Sequence, residues 1–174
     1  MSDSNEFYGK YRGTVIAPPD PETNGKLTAL VTLGGTPLTM VAEACVPYAG
    51  IQGGFYAIPT VGAGVWIEFE EGDIDRPIWS GCWWPTGKVL TSFGIGVPFP
   101  TQPVVLQSIL GSRIILGNEP TALVTLETKA GALGPRIVMS AEGIKISYGP
   151  TSTIELGPAG VSINGKALVI LPGS

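Results

Sequence analysis

Charged side chains are scarce in this 174-residue chain, and histidine is absent altogether. Asp, Glu, Lys and Arg make up 14% of the residues, whereas globular domains usually carry about 25%. A monomer of this length has much surface for its volume and should need more charge, not less. Either the chain enters a membrane or it buries a large surface against other chains. The apolar stretches, such as Ser108–Gly117, are too short and interrupted for a spanning helix of about 20 residues. The composition therefore indicates an obligate oligomer.

Export and metal-binding signals are also missing. No basic segment followed by an apolar core opens the sequence, so we expect no secretory signal peptide. We then expect Cys45 and Cys82 to be reduced core residues rather than a disulfide. Because the chain has no histidine to activate it, Cys45 is not expected to act as a nucleophile. No cysteine–histidine set has zinc spacing, and the sequence predicts neither a metal nor a cofactor.

Glycine and proline are abundant instead, with 25 and 16 copies. Val, Ile, Leu and aromatic residues lie between them at regular intervals, which is typical of many short strands, and no run has helical spacing. We predict an all-β protein.

Residues 1–84 are predicted to form a five-stranded OB-fold barrel. The clearest strand is Gly64–Glu70, because Val65, Ile67 and Phe69 alternate with side chains that point the other way. A long glycine-rich connection precedes it, as between the third and fourth strands of an OB barrel. The predicted strands are Tyr8–Ala17, Lys26–Leu33, Met40–Val46, Gly64–Glu70 and Arg76–Trp84.

Residues 85–103 are predicted to be a joint, since their prolines lack the donor that a sheet ladder needs. Residues 104–174 then contain a repeat with an offset of 17 residues, in which Arg136–Ser147 lies over Thr153–Asn164. Each unit has two apolar-x-apolar triplets separated by a turn with glycine in register. A looser copy begins at Arg113.

Strands this short form a ribbon that cannot bury its apolar face against itself and leaves its edges open. Three copies wound about a shared axis would solve both problems, which predicts a trimeric, intertwined β-helix over residues 104–174. A second small barrel or sandwich is the alternative. Lys145, Glu155 and Ser162 are expected on the outside. The predicted trimer core is Ile137, Met139, Ile144, Ile146, Ile154, Leu156, Val161 and Ile163.

Two groups of side chains are candidates for catalysis or ligand binding. Glu68, Glu70, Glu71 and Asp73 supply carboxylates of the kind that glycoside hydrolases use, but their strand and turn positions favour a solvated face or a salt-bridged subunit contact. Arg76 is expected to pair with a carboxylate across such a contact. Seven aromatic residues would suit a stacking platform for single-stranded nucleic acid, but the basic groove that such a platform needs is missing, so core and interface packing is favoured. These residues are Trp66, Trp79, Trp83, Trp84, Tyr48, Phe55 and Tyr56.

The stretch Val46–Trp84 resembles the OB domain of phage baseplate assembly protein V, a domain that also occurs in phage tail-spike hubs and in the VgrG proteins of type VI secretion. The most specific phrase is Phe69-Glu70-Glu71-Gly72-Asp73 followed by Arg76-Pro77. Pro47–Gly50 and Gly54–Tyr56 match as well. The repeat after Arg113 is similar to the C-terminal β-helix of the family.

The resemblance implies a non-enzymatic homotrimeric spike at the centre of the baseplate of a phage tail, tailocin or related injection particle. It implies assembly in the bacterial cytoplasm, OB domains that bind a hub, no nucleic acid partner, and transient contact with the target membrane when sheath contraction drives the spike through it. The alternative is a monomeric OB module that binds oligosaccharide or single-stranded nucleic acid.

Departures from the family pattern shape the expected partners. Only Met1–Glu6 precedes the barrel, so a separate hub protein is expected, and Pro85–Pro103 leaves no room for a lysozyme domain. Some relatives end in a His-x-His pair that binds iron, which a chain without histidine cannot supply. We therefore expect Leu168, Ile170 and Leu171 to form a blunt platform for a separate PAAR-repeat tip protein.

Overall fold

The computed structural model describes residues 6–17, 25–88, 90, 101–165 and 167–170. The predicted all-β class is confirmed, since the regular elements of the described residues are strands and two short 3-10 turns. Contacts divide the chain into two units, residues 1–89 and 90–174. Within the described ranges, no helix has the length and apolar content needed to cross a membrane.

The first unit contains a closed five-stranded barrel in the order β1-β2-β3-β7-β6. β1 pairs antiparallel with both β2 and β6, and a parallel pairing of β3 with β7 completes the closure. This confirms the predicted OB-type barrel. The strands of the unit are β1 (Tyr11–Ala17), β2 (Leu27–Leu33), β3 (Thr36–Ala44), β4 (Ala49–Gly50), β5 (Gly53–Gly54), β6 (Gly64–Phe69) and β7 (Pro77–Trp83).

The barrel closes around side chains that alternate along its strands. β2 buries every second residue and turns the others outward, and β6 does the same with Val65, Ile67 and Phe69. Gly64 opens β6 where a side chain would not fit, because a Cβ there would lie 2.6 Å from the Trp83 indole. The core is formed by Val15, Leu27, Ala29, Val31, Leu33, Ala42, Val65, Ile67, Phe69 and Trp79.

Three details of the barrel differ from the sequence prediction. β3 begins at Thr36 rather than Met40, and the connection to β6 contains the small hairpin β4–β5. The prediction that both cysteines are core residues was wrong. Cys45 follows the end of β3 and Cys82 lies near the end of β7, and both are free and exposed.

The second unit is an eight-stranded sheet in which the strands follow one another in chain order. Every neighbouring pair is antiparallel. One unit of the 17-residue repeat corresponds to one β-hairpin, because the first unit forms the hairpin β11–β12 and the second forms the hairpin β13–β14. Most of the predicted joint lies outside the described residues. The strands are β8 (Val104–Gln107), β9 (Arg113–Glu119), β10 (Ala122–Glu127), β11 (Pro135–Ser140), β12 (Gly143–Tyr148), β13 (Ser152–Gly157), β14 (Gly160–Ile163) and β15 (Leu168–Ile170).

The two units differ in what they bury. Of the described residues, all the buried apolar side chains lie in the barrel, and Thr125 is the buried polar residue of the sheet. The sheet of one chain therefore has apolar side chains but no apolar interior.

Candidate functional site

One face of the eight-stranded sheet carries two continuous apolar rows. Each strand from β8 to β14 contributes two residues, one to each row, and the strand register aligns the rows from β8 to β15. Because alternate residues of a strand share a face, both rows lie on the same side of the sheet. Row A is Val104, Leu116, Val124, Met139, Ile144, Leu156 and Val161, and the register position beyond Val161 is Ile170. Row B is Leu106, Ile114, Leu126, Ile137, Ile146, Ile154, Ile163 and Leu168.

The rows are largely uncovered in a single chain. Eleven of their side chains are exposed, from 37% for Leu126 and Ile144 to 68% for Val104. A contiguous apolar surface of this kind on a soluble protein marks a contact with another molecule. The rows are therefore the candidate functional site.

The eight residues predicted from the 17-residue repeat all lie in these rows. The sequence reasoning missed that the rows continue through β8, β9 and β10, although the apolar-x-apolar spacing of Val104 and Leu106 was a usable signal. Of the predicted platform, Leu168 extends row B, and Ile170 takes the register position opposite Val161. Leu171 lies outside the described residues.

The opposite face of the sheet carries charged and polar side chains beside apolar ones such as Ile115 and Val138. Lys145 and Glu155 face each other across β12 and β13 and form an ion pair of 2.7 Å. Ser162 follows in the same row, opposite Glu155. The register thus separates the two apolar rows from a face that bears these charges.

A buried ionic group on this polar face was not predicted. Arg113 Nη2 lies 2.6 Å from Glu127 Oε1, and Arg136 Nε lies 3.0 Å from Glu127 Oε2. The second contact is an ion pair rather than a hydrogen bond, because the geometry at Nε does not fit one. The Glu127 side chain is only 6% exposed. The three residues directly oppose one another on β9, β10 and β11, so the group ties these strands in register.

Three carboxylates of the barrel, those of Glu43, Glu68 and Glu70, have ion-pair partners within the chain. Glu68 accepts a hydrogen bond from Lys10, and Glu70 Oε2 lies 2.5 Å from Arg76 Nη2. The tight turn after β6 thus gives Arg76 a carboxylate partner within its own chain, and its pairing across a subunit contact stays a prediction. The hydrogen bond that Lys26 donates to Glu43, at 2.6 Å, lowers the pKa of Glu43. A lowered pKa is the opposite of what a general acid needs, so Glu43 is not suited to that role.

The aromatic residues of the barrel divide between core and surface. Trp79 is buried in the core and donates a hydrogen bond to Gly25 O at 3.1 Å. The guanidinium of Arg12 lies 5.6 Å from the ring centre of Trp66 and 4.8 Å from that of Trp83, within cation–π range. Of the seven aromatic residues that would suit a stacking platform, Tyr48, Phe55, Tyr56 and Trp84 are exposed.

Within the part of the chain that the structure describes, no group of three or more potential metal-ligating side chains is placed to hold an ion.

Comparisons with known proteins match both units. Residues 11–84 match the family model of the type VI secretion system and phage-baseplate injector OB domain. Residues 103–169 match that of the phage baseplate V C-terminal trimerisation domain. No curated protein matches the chain significantly. The second match supports a homotrimer. The barrel and the sheet thus correspond to successive domains of one set of structural baseplate proteins, and the chain belongs to the phage baseplate assembly protein V family.

Proposed function

We propose that three copies of this chain form the central spike of the baseplate of a contractile injection system. Rows A and B of each copy face a common axis, and the strands of the three copies wind about it as a β-helix. Sheath contraction drives this needle through the target envelope. The protein acts through its shape and stiffness and catalyses no reaction.

The observation that carries the proposal is the pair of uncovered apolar rows. Fully burying a Leu, Ile or Val side chain contributes about 1.5–3 kcal/mol. The eleven exposed side chains retain roughly half of their area in one chain, so covering them would contribute about 10 kcal/mol per chain. This upper estimate equals the whole stability of a typical domain, about 5–15 kcal/mol. Because covering the rows would contribute this much free energy, we expect another molecule to cover them in the working protein.

The sheet geometry supports a rod. Neighbouring strands lie about 4.8 Å apart, so eight consecutive strands extend over roughly 34 Å along the direction of the rows. With the rows turned inward, the ion pair of Lys145 and Glu155 faces solvent. Contact among three chains also explains why a short chain needs so little charge.

The partners follow from the family and from the sequence. The barrels bind a separate hub protein, and the C-terminal end, with Leu168, Ile170 and Leu171, receives a PAAR-repeat tip protein. The spike is assembled in the bacterial cytoplasm and becomes part of a phage tail or related particle. Contact with the target membrane is transient. We test the tip contact by mixing the purified chain with the PAAR-repeat protein encoded beside it, and failure to bind would refute that contact alone.

Position in the particle tests the proposed function. Contractile particles purified from cells that produce a tagged chain are labelled against the tag and imaged by electron microscopy. We expect the label on the tail axis at the baseplate end. Particles that lack the chain, or that carry it along the sheath, would refute the proposal. A peptidoglycan zymogram of the purified chain checks the absence of hydrolysis, and a cleared band would contradict it.

A further inference from the structure

The two lateral margins of the eight-stranded sheet are chemically different. Because the strands follow one another antiparallel, the turns before β9, β11 and β13 lie at one margin, and the turns before β10, β12 and β14 lie at the other. The first margin, here called the apolar margin, carries Ile109, Leu110, Leu133 and Tyr148. The second, the small margin, has short turns formed by Pro120, Thr121, Ala141, Glu142, Pro158 and Ala159.

The apolar margin is more exposed than most of the two rows. Ile109 and Leu110 are each 80% exposed, Leu133 is 76% exposed and Tyr148 is 67% exposed. The fold of a single chain buries little of these large apolar side chains. Because they are concentrated at one margin, we expect the surface of another molecule to cover them there.

The apolar margin is continuous with row B. Tyr148 follows Ile144 and Ile146 at alternate positions of β12, so its side chain stands on the same face as the rows, one step beyond row B. Whatever covers row B thus reaches the margin as well. The occupant is therefore another copy of the chain.

A three-fold assembly also requires two different surfaces. Each contact in a cyclic trimer joins one patch of a chain to a different patch of its neighbour. A sheet with bulky apolar residues at one margin and short turns, small except for Glu142, at the other provides such a pair.

We propose that the apolar margin of each copy packs against the small margin of the next and closes the corner of the trimer. This inference rests on the proposed trimer and adds which residues seal its interior from water. The corner contact is directional, so it also distinguishes the correct three-fold closure from a sheet that stacks back to back.

A matched pair of leucines tests the contact by stability. Leu133 is 76% exposed, whereas Leu123, which points to the polar face from β10, is 42% exposed. Within one chain, Leu123→Ser should therefore be the more damaging change. In the proposed trimer the order reverses, and Leu133→Ser lowers the melting temperature by about 5 °C, at least twice the shift of Leu123→Ser. A larger shift for Leu123→Ser would overturn the inference.

Thiol labelling tests the same contact without relying on stability. Cys45 and Cys82 are exposed, so both are first replaced by serine, and Leu133→Cys and Leu123→Cys are then made separately in the full chain. We expect maleimide to label position 133 at least tenfold more slowly than position 123 in the native protein and equally fast in urea. Equal or faster native labelling at position 133, in a protein of trimeric mass, would overturn the corner contact and leave the proposed function intact. A monomeric mass would overturn both.

Discussion

Placing a carboxylate in row B is the strongest perturbation of the proposed interior. Ile146 lies in the middle of the row, between Ile137 on β11 and Ile154 on β13. In one chain it is 42% exposed, so a charge introduced by Ile146→Asp would reach water. In the trimer, the same substitution directs three carboxylates toward one apolar axis.

The two situations differ in magnitude. For a lone chain, the cost is the lost burial of one partly covered side chain, about 1–2 kcal/mol. In the trimer, each desolvated and unpaired carboxylate costs several kcal/mol more, and the three repel one another. The total exceeds about 15 kcal/mol per trimer. Covering the rows gains about 10 kcal/mol per chain, or about 30 kcal/mol per trimer, so this loss removes about half of the gain. Association itself costs about 4–15 kcal/mol, which takes up much of the remainder.

Sedimentation velocity at micromolar concentration measures the outcome, with Ser147→Asp as the matched control. Ser147 is the next residue, points to the polar face and lies opposite Arg136. We expect Ile146→Asp to abolish the trimer and Ser147→Asp to retain it. The reasoning is refuted if Ile146→Asp remains trimeric, or if both variants dissociate to the same extent.

Three further predictions concern single contacts. Glu127→Gln should lower the free energy of unfolding by about 2–4 kcal/mol, because two guanidinium groups lose the buried carboxylate that they share. Glu155→Gln, which removes the exposed ion pair with Lys145, should lower it by less than about 1 kcal/mol. Equal effects of the two substitutions in urea denaturation would contradict this prediction. Gly64→Ala should lower the free energy of unfolding by about 1–3 kcal/mol in the same assay, because the added Cβ would stand 2.6 Å from the indole ring of Trp83. An unchanged midpoint of urea denaturation would argue against this packing of the barrel. The pKa of Glu43, measured by NMR, should lie below its ordinary value because Lys26 donates a hydrogen bond to it. The contact between Lys26 and Glu43 stabilises the fold at pH values above the pKa of Glu43 in the unfolded chain, and this stabilisation is lost as the pH falls through its lowered pKa in the folded chain. Lys26→Met should raise the pKa of Glu43. An unchanged pKa would show that the contact does not cause the shift.

The barrel was largely predictable because its strands obey strict alternation. Val65, Ile67 and Phe69 were expected to share a face, and all three are buried. The β4–β5 hairpin escaped prediction, since two-residue strands rich in glycine have no periodic pattern. The exposure of Cys45 escaped it too, because its position just past the end of β3 decides its burial, and strand ends are poorly marked in a sequence.

The rows of the sheet were partly predictable for the same reason. The repeat identified the hairpins after Arg136, where apolar spacing and glycine turns recur together. The ionic group around Glu127 could not be foreseen, because it depends on the register of three strands whose connecting turns differ in length. Register is a long-range property, and local spacing does not fix it.

The native mass of the 174-residue chain tests the central claim most directly. One chain has a mass of 18.1 kDa, and native mass spectrometry over a dilution series should find a species of three times that mass that persists to nanomolar concentration. A species that stays at 18.1 kDa at every concentration would contradict the claim, because the two apolar rows would then face water in the working protein.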